Sequence, residues 1–153
     1  TGDGSAIGAG IADAFGANSA FTTIANAVYE INYHCWFLKS TAGTSTWTVT
    51  NTQTYTAFTG FRVICVVGGI GSAGTLSGAG LANTTTAAAG FPASASLTDA
   101  TQQYAHINVI CTIGTAGNIR LRHTSGAGTI TMRRGSYYTV RRLFAGNVGA
   151  FVA

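Results

Sequence analysis

A glycine pattern is the sequence feature closest to a cofactor site. Gly69, Gly71 and Gly74 match the spacing GxGxxG, directly after an apolar run. In dinucleotide-binding folds these glycines let the backbone approach a pyrophosphate at a helix N-terminus. The residues that follow, TLSGAG, are poor helix formers, and the next acid is Asp99. The pattern therefore lacks the context it needs, and we predict no nucleotide site and no cofactor.

The titratable residues are too few and too scattered to predict catalysis. The acids are Asp3, Asp13, Glu30 and Asp99, and no two of them are predicted to meet as hydrolysis by paired carboxylates requires. His34, His106 and His123 lie in strand-like runs without metal-ligand spacing. His34 and its neighbour Cys35 must point to opposite faces of one strand. We expect no enzyme, no metal and individually hydrogen-bonded histidines, with a small hydrolase kept as a third alternative.

Arginines cluster in the last third of the chain. They are Arg120, Arg122, Arg133, Arg134, Arg141 and Arg142, and they make the net charge of +4 local. A basic patch can bind nucleic acid or an acidic protein surface. No recognition helix or stacking motif accompanies it, so the sequence does not favour nucleic acid. Solvent-facing positions, or interface pairs with the carboxylates of a neighbour, are the preferred interpretation.

The aromatic and sulfur-containing residues fit a packed core. The tryptophans and tyrosines are Trp36, Trp47, Tyr29, Tyr33, Tyr55, Tyr104, Tyr137 and Tyr138. They suit a core or a subunit interface, and a glycan-stacking platform is the alternative. Cys35, Cys65 and Cys111 are odd in number, widely spaced and set in apolar runs. We predict free core thiols rather than a disulfide framework.

The elements that carry these residues are strands. Alternation of apolar and polar residues predicts strands at 28–39, 45–52, 58–67, 103–113, 117–124, 128–132 and 136–143. Residues 68–90 are rich in Gly, Ala, Ser and Thr and are predicted to form a long loop, with Pro92 in the same irregular region. No amphipathic helix is predicted. The pattern indicates an all-β, jelly-roll-like sandwich of about eight strands.

The sandwich is predicted to span residues 22–143. Residues 1–21 are interpreted as an N-terminal arm with scattered Ile7, Ile11 and Phe15, and residues 144–153 as a C-terminal tail with Phe144 and Phe151. Neither a signal peptide nor a membrane helix is predicted. Only 8% of the residues are charged, against about 25% in an average domain. We infer that partners cover much of the surface.

Four segments carry a family resemblance. They are Val28-Tyr29-Glu30-Ile31, the run AHINV at 105–109, GNIRLR at 117–122 and GTITMRRGSY at 128–137. In this order they resemble a domain of virion structural proteins of tailed bacteriophages. The resemblance covers residues 21–143 and departs from the pattern at 68–90 and at the arginines. It implies a β-sandwich, often a trimer on the virion, and supplies no catalytic residue.

The resulting functional prediction is a capsid decoration (cement) protein that stabilises the phage shell as a homo-oligomer. Its expected partners are its own copies in a homotrimer and the major capsid protein or other virion proteins. The arginines, the arm and the tail would make the contacts, and assembly would occur in the bacterial cytoplasm, without a membrane. The alternative is a tail-fibre or receptor-binding module that recognises host glycans.

Overall fold

The computed structural model consists of strands. It describes the backbone of residues 3–4, 6–8, 10–41, 43–51, 57–67, 75–81, 88–97 and 102–143, with side chains except at 11, 43–46, 51, 57–97 and 102. The strands are β1 (Ala6–Ile7), β2 (Gly10–Asp13), β3 (Ala20–Thr22), β4 (Ala27–Lys39), β5 (Gly43–Asn51), β6 (Ala57–Val67), β7 (Thr75–Leu81), β8 (Ala88–Leu97), β9 (Gln102–Ile113), β10 (Asn118–Ser125), β11 (Ile130–Met132) and β12 (Tyr137–Arg142). A single 3-10 turn, Gly16–Ser19, lies between β2 and β3.

Two antiparallel sheets are formed. The larger sheet has the order β1-β11-β4-β9-β6-β7, and β12 pairs with β4 beyond β11 on the same edge. The smaller sheet has the order β2-β10-β5-β8, and β3 pairs with β10 beside β2. Neighbouring strands in both sheets are therefore often distant in sequence. The predicted all-β sandwich is confirmed.

The core lies where the alternating apolar residues of both sheets meet. Every second side chain of β4 is buried from Ala27 to Lys39, and the pattern repeats in β9 and β10. Side chains of successive strand residues point to opposite faces, so one set packs inward and the other points outward. The largest fully buried apolar side chains are Trp47, Tyr33, Phe37, Ile31, Ile107, Ile113, Ile119 and Leu121. The alternation predicted from sequence is confirmed for these strands.

The prediction of a loop over residues 68–90 is wrong for part of the segment. Residues 75–81 form β7 on β6, and residues 88–90 begin β8, which pairs with β5 and contains Pro92. Gly and Ala lack the branched side chains by which strands are recognised, but their backbone groups can still complete a ladder. Residues 68–74, with the GxGxxG pattern, and 82–87 lie outside the described residues.

The segment predicted as an N-terminal arm is built into the sandwich. β1 pairs with β11 in the larger sheet, while β2 and β3 pair with β10 in the smaller one. Phe15 packs against the core beside Tyr33 and Tyr138. Ile7 and Phe15 of this segment thus pack against the core of their own chain. The predicted C-terminal tail, residues 144–153, lies outside the described residues.

Within these ranges the structure contains no helix long and apolar enough to cross a membrane.

Candidate functional site

Asp13 organises two of the arginines on the outer face of the smaller sheet. It stands on β2, directly opposite Arg122 of β10. Arg120 Nη1 donates a hydrogen bond to Asp13 Oδ2 at 3.0 Å, and Arg122 Nε lies 3.3 Å from Asp13 Oδ1. One half-buried carboxylate therefore neutralises much of the charge that β10 carries. Arginines two residues apart on a strand share a face, which is why a single acid can reach both.

Two more arginines, Arg133 and Arg141, form ion pairs with other acidic residues. Arg133 Nη1 lies 2.8 Å from Asp3 Oδ2, and the backbone N–H of Arg134 donates to Asp3 Oδ1 at 2.8 Å. Arg141 Nη2 lies 3.1 Å from Glu30 Oε2 on the outer face of the larger sheet. These pairs are partly exposed, so each contributes on the order of 1 kcal/mol or less to stability. Their main effect is that the carboxylates of Asp3 and Glu30 are already ion-paired within the chain.

The six arginines do not form one patch. Arg120 and Arg122 lie on the smaller sheet, Arg133 and Arg134 in the turn before β12, and Arg141 and Arg142 on β12 in the larger sheet. Among the described residues, the guanidinium groups of Arg134 and Arg142 form no ion pair. The predicted contact of the arginines with an acidic partner stays a prediction, and these two are the arginines whose charge is available for it.

The other residues predicted at an interface are apolar residues of the N-terminal and C-terminal segments, and the structure describes the side chains of only some of them. Ile7 and Phe15 are half-buried and pack against the core. The backbone of Ile11 lies in β2, but its side chain is outside the described set. Phe144 and Phe151 also lie outside the described residues. For Ile7 and Phe15, the apolar character that suggested a contact with another subunit is explained by packing within the chain.

A row of stacked rings crosses the outer face of the larger sheet. Tyr137, His34 and His106 occupy directly opposite positions on β12, β4 and β9. Their ring centroids are 4.6 Å apart at each step, with interplanar angles of 18° and 12°. The spacing is close to the distance between neighbouring strands, so the rings stand upright and stack face to face. Tyr137 stands at the β12 end of the row and is exposed, whereas His34 and His106 are half-buried.

Hydrogen bonds hold the histidines of this row. His34 Nδ1 shares a hydrogen bond with the Tyr104 hydroxyl, and His106 Nε2 donates to Asn32 Oδ1 at 3.2 Å. The same Asn32 oxygen accepts from Asn108 Nδ2 at 2.8 Å. Burial, followed by the influence of Tyr137 and Cys35, raises the pKa of Tyr104, so its hydroxyl stays protonated at neutral pH. The predicted hydrogen-bonded state of these two histidines is confirmed.

His123 behaves differently and corrects that prediction. It points inward from β10, is fully buried, and contacts the Trp47 ring at a centroid distance of 4.7 Å. Neither ring nitrogen has a hydrogen-bond partner in the described part of the chain. Burial, together with the charge of Lys39, lowers the pKa of His123 to about 4, so the imidazole is neutral at pH 7. Lys39 is itself buried, which lowers its own pKa.

A cleft opens at the side of the sandwich between β1, β2 and the turn before β12. It has a volume of about 550 Å³ and an apolar floor that includes Ile7, Phe15 and Met132. The charged residues on its wall are Asp13, Arg133 and Arg134. The first two are already paired with Arg120, Arg122 and Asp3. Among the described residues that line the cleft, Arg134 is the charged side chain without an ion pair.

Metal-binding and redox residues are equally dispersed. In the part of the chain that the structure describes, no group of three His, Cys, Asp or Glu side chains could hold a metal ion. Cys35 and Cys111 are buried free thiols, as predicted, and burial raises the pKa of Cys111 to about 12. The side chain of Cys65 is outside the described set.

The outer edge of β12 is the part of the described surface that carries the most exposed large apolar side chains. The exposed large apolar residues of the described chain are Ile24, Tyr137 and Val140. Two of them, Tyr137 and Val140, lie on β12, and Ile24 lies between β3 and β4. The sequence pattern predicts 136–143 as the closing strand of the set. Its position at the edge of the described sheet follows from the strand order, which no local pattern reports.

The chain matches no known family model, no curated protein and no solved structure.

Proposed function

We propose that this protein is a structural component of a tailed-bacteriophage virion, and that it decorates the capsid shell as a homo-oligomer. The observation that carries the proposal is that two of the three large apolar side chains exposed among the described residues, Tyr137 and Val140, lie on β12, at the edge of the described sheet. An exposed strand edge with apolar residues is a site of association unless charges or a covering element protect it. An assembly protein uses such an edge instead of protecting it.

The charge distribution supports the same proposal. Asp3, Asp13 and Glu30 are all engaged by arginines of their own chain, so little negative charge remains on the described surface. Arg134 and Arg142 keep their charges available for an acidic shell surface. A protein that stabilises a shell by binding to it needs contact area and a rigid fold rather than converging catalytic groups. A sandwich whose core spans both sheets provides that rigidity.

The experiment is to locate the protein in intact particles. Particles of the phage whose genome encodes the chain would be purified by density gradient, analysed by quantitative mass spectrometry and imaged by cryo-electron microscopy with a bound antibody fragment. We expect many copies per particle on the head. Absence from purified particles would refute the virion role, and a position confined to the tail would refute the shell role.

Glycan recognition at a fibre tip is the second candidate. Its support is the Tyr137 ring, which is 52% exposed and has one face not covered by His34. Sugars bind by stacking on an open aromatic face beside polar groups, and Tyr137 stands at the β12 end of the row. A glycan array compares the wild type with Tyr137→Ala. Specific binding that is lost in the variant would favour this candidate, and an array without hits would remove it.

A further inference from the structure

In the described part of the chain, one side of the β12 backbone has no strand beside it. The N–H of Leu143 donates to the carbonyl oxygen of Val28 at 2.8 Å, so this residue faces β4. In an antiparallel pair the residues alternate between those bonded to the partner strand and those pointing away. Tyr137, Thr139 and Arg141 therefore face β4 with their backbone groups. The backbone groups of Tyr138, Val140 and Arg142 point to the opposite side, where no described strand pairs with them.

From this geometry we propose that β12 pairs with β12 of a second copy of this chain across a two-fold axis centred on Val140. The pairing is antiparallel and joins the two larger sheets into one. Val140 would stand opposite its own copy, and Tyr138 opposite Arg142 of the other. Each of the three outward residues would donate one hydrogen bond and accept one, giving six bonds in all. The inference deepens the proposed function, on which it rests for its biological setting, by naming the self-association surface.

The charges on β12 select this register. Centring the axis on Arg141 would place two arginines directly opposite one another, which is unfavourable. Centring it on Thr139 would use only two of the three outward residues within the strand. The axis at Val140 uses all three and separates the arginines, since Arg141 would face Thr139 and Arg142 would face the Tyr138 ring. It also covers two of the exposed apolar side chains, Val140 and Tyr137.

A two-fold pair is a dimer and differs from the trimer that the family resemblance implies. Light scattering on the purified full chain distinguishes the two directly. We expect a concentration-dependent dimer. A species that stays monomeric up to its solubility limit, or a trimer, would overturn the inference.

Val140→Pro tests the outward hydrogen bonds. Proline removes an N–H that faces away from β4, a position where an edge strand tolerates it. The matched control is Val140→Thr, which keeps the N–H and the branched shape. Because the dimer would lose one bond from each copy, we expect Val140→Pro to weaken association about 30-fold, equivalent to about 2 kcal/mol. Val140→Thr should stay within a few-fold of the wild type. Equal effects of the two substitutions would contradict the pairing.

A disulfide tests the register and does not depend on tolerance for proline. In the proposed register, Thr139 of one copy and Arg141 of the other form a close pair without backbone hydrogen bonds between them, a spacing that a disulfide can bridge. The double variant Thr139→Cys/Arg141→Cys should form a covalent dimer under mild oxidation, with 139–141 linkages identified by peptide mass spectrometry. Thr139→Cys alone should not. No covalent dimer in the double variant, or a dimer of the single variant, would refute the register.

The inference and the proposed function can fail separately. A chain that is found on particles but shows neither a dimer nor the 139–141 linkage keeps its virion role and loses this interface. A chain that forms the linked dimer but is absent from particles keeps the interface and loses the virion role.

Discussion

At the residue scale, the interior contains polar groups that cost stability. Neither ring nitrogen of His123 has a hydrogen-bond partner in the described part of the chain. A buried polar atom without a partner costs about 1–3 kcal/mol. Lys39 adds a charge-bearing group on the inner face of β4. The side chains of 43–46 and 57–97 lie outside the described set, so this balance concerns the described residues alone.

Replacement of His123 by phenylalanine should reduce the acid sensitivity of the fold. The folded pKa of about 4 lies below the ordinary 6.5, so the unfolded chain binds the proton first as the pH falls. Stability from a neutral His123 is complete above the unfolded value and is lost progressively as the pH falls towards 4. Between about pH 7.5 and pH 5 we expect a loss of about 2 kcal/mol in the wild type that His123→Phe does not show.

Urea unfolding at the two pH values measures this difference. His34→Gln is the control, because it alters an outer histidine and should leave the contribution of His123 in place. The assignment would be wrong if His123→Phe kept the full pH dependence of the wild type.

The thiols of Cys35 and Cys111 should be inert in the folded protein. Both are fully buried, and the pKa of Cys111 is raised to about 12 by burial, so almost none of it is the reactive thiolate near pH 8. Mass spectrometry after maleimide treatment should find both unmodified until denaturant is added. Thr139→Cys supplies an exposed thiol as a positive control. Rapid labelling of Cys111 without denaturant would contradict the packed core.

At the element scale, turn geometry determines how β11 reaches β4. Gly128 precedes β11 with φ of +67°, a conformation that residues with a Cβ rarely adopt. A Cβ at this position would lie 2.7 Å from Ser40 Oγ and 2.9 Å from Thr41 Cβ. The same region forms hydrogen bonds that join Ser40 and Thr129. The turn therefore packs tightly against the end of β4.

Gly128→Ala should lower stability by about 1–3 kcal/mol, because it adds both backbone strain and a steric clash. Gly16→Ala is the matched control, since Gly16 has φ of +56° but nothing within 4 Å of the added Cβ. Thermal unfolding of both variants separates the two contributions. Equal losses in the two variants would show that the clash is relieved at no cost.

At the scale of the whole molecule, the N-terminal segment supplies edge strands to both sheets. β1, β2 and β3 lie at sheet edges, Phe21 contacts Tyr29, and Asp13 neutralises β10. An appended arm would have none of these contacts. The segment is thus expected to be part of the folding unit.

Deletion of residues 1–21 should therefore prevent folding or cost at least about 4 kcal/mol, since it removes Phe15 and Phe21 from the core margin and uncovers the edge of β10. Circular dichroism and thermal unfolding measure the effect. Removal of residues 1–2 alone is the control and should change little. An unchanged melting temperature after the larger deletion would support the arm interpretation.

The amino-acid sequence by itself determined which side chains of the main strands face inward. That alternation is a local property, because each strand residue reverses direction relative to the one before it. It identified β4, β6, β9 and β10, the all-β class and the buried free thiols Cys35 and Cys111.

Only the tertiary structure decided which strands are neighbours. It paired β1, β2 and β3 with strands from the far end of the sequence, β10 and β11, and revealed β7 and the start of β8 in a glycine-rich segment. It also placed Asp13 in an ion pair with Arg120 and buried His123 without a hydrogen-bond partner among the described residues. It put β12 at the edge of the described sheet. These features depend on contacts between residues remote in sequence, and a side-chain pattern along one strand carries no information about its partner.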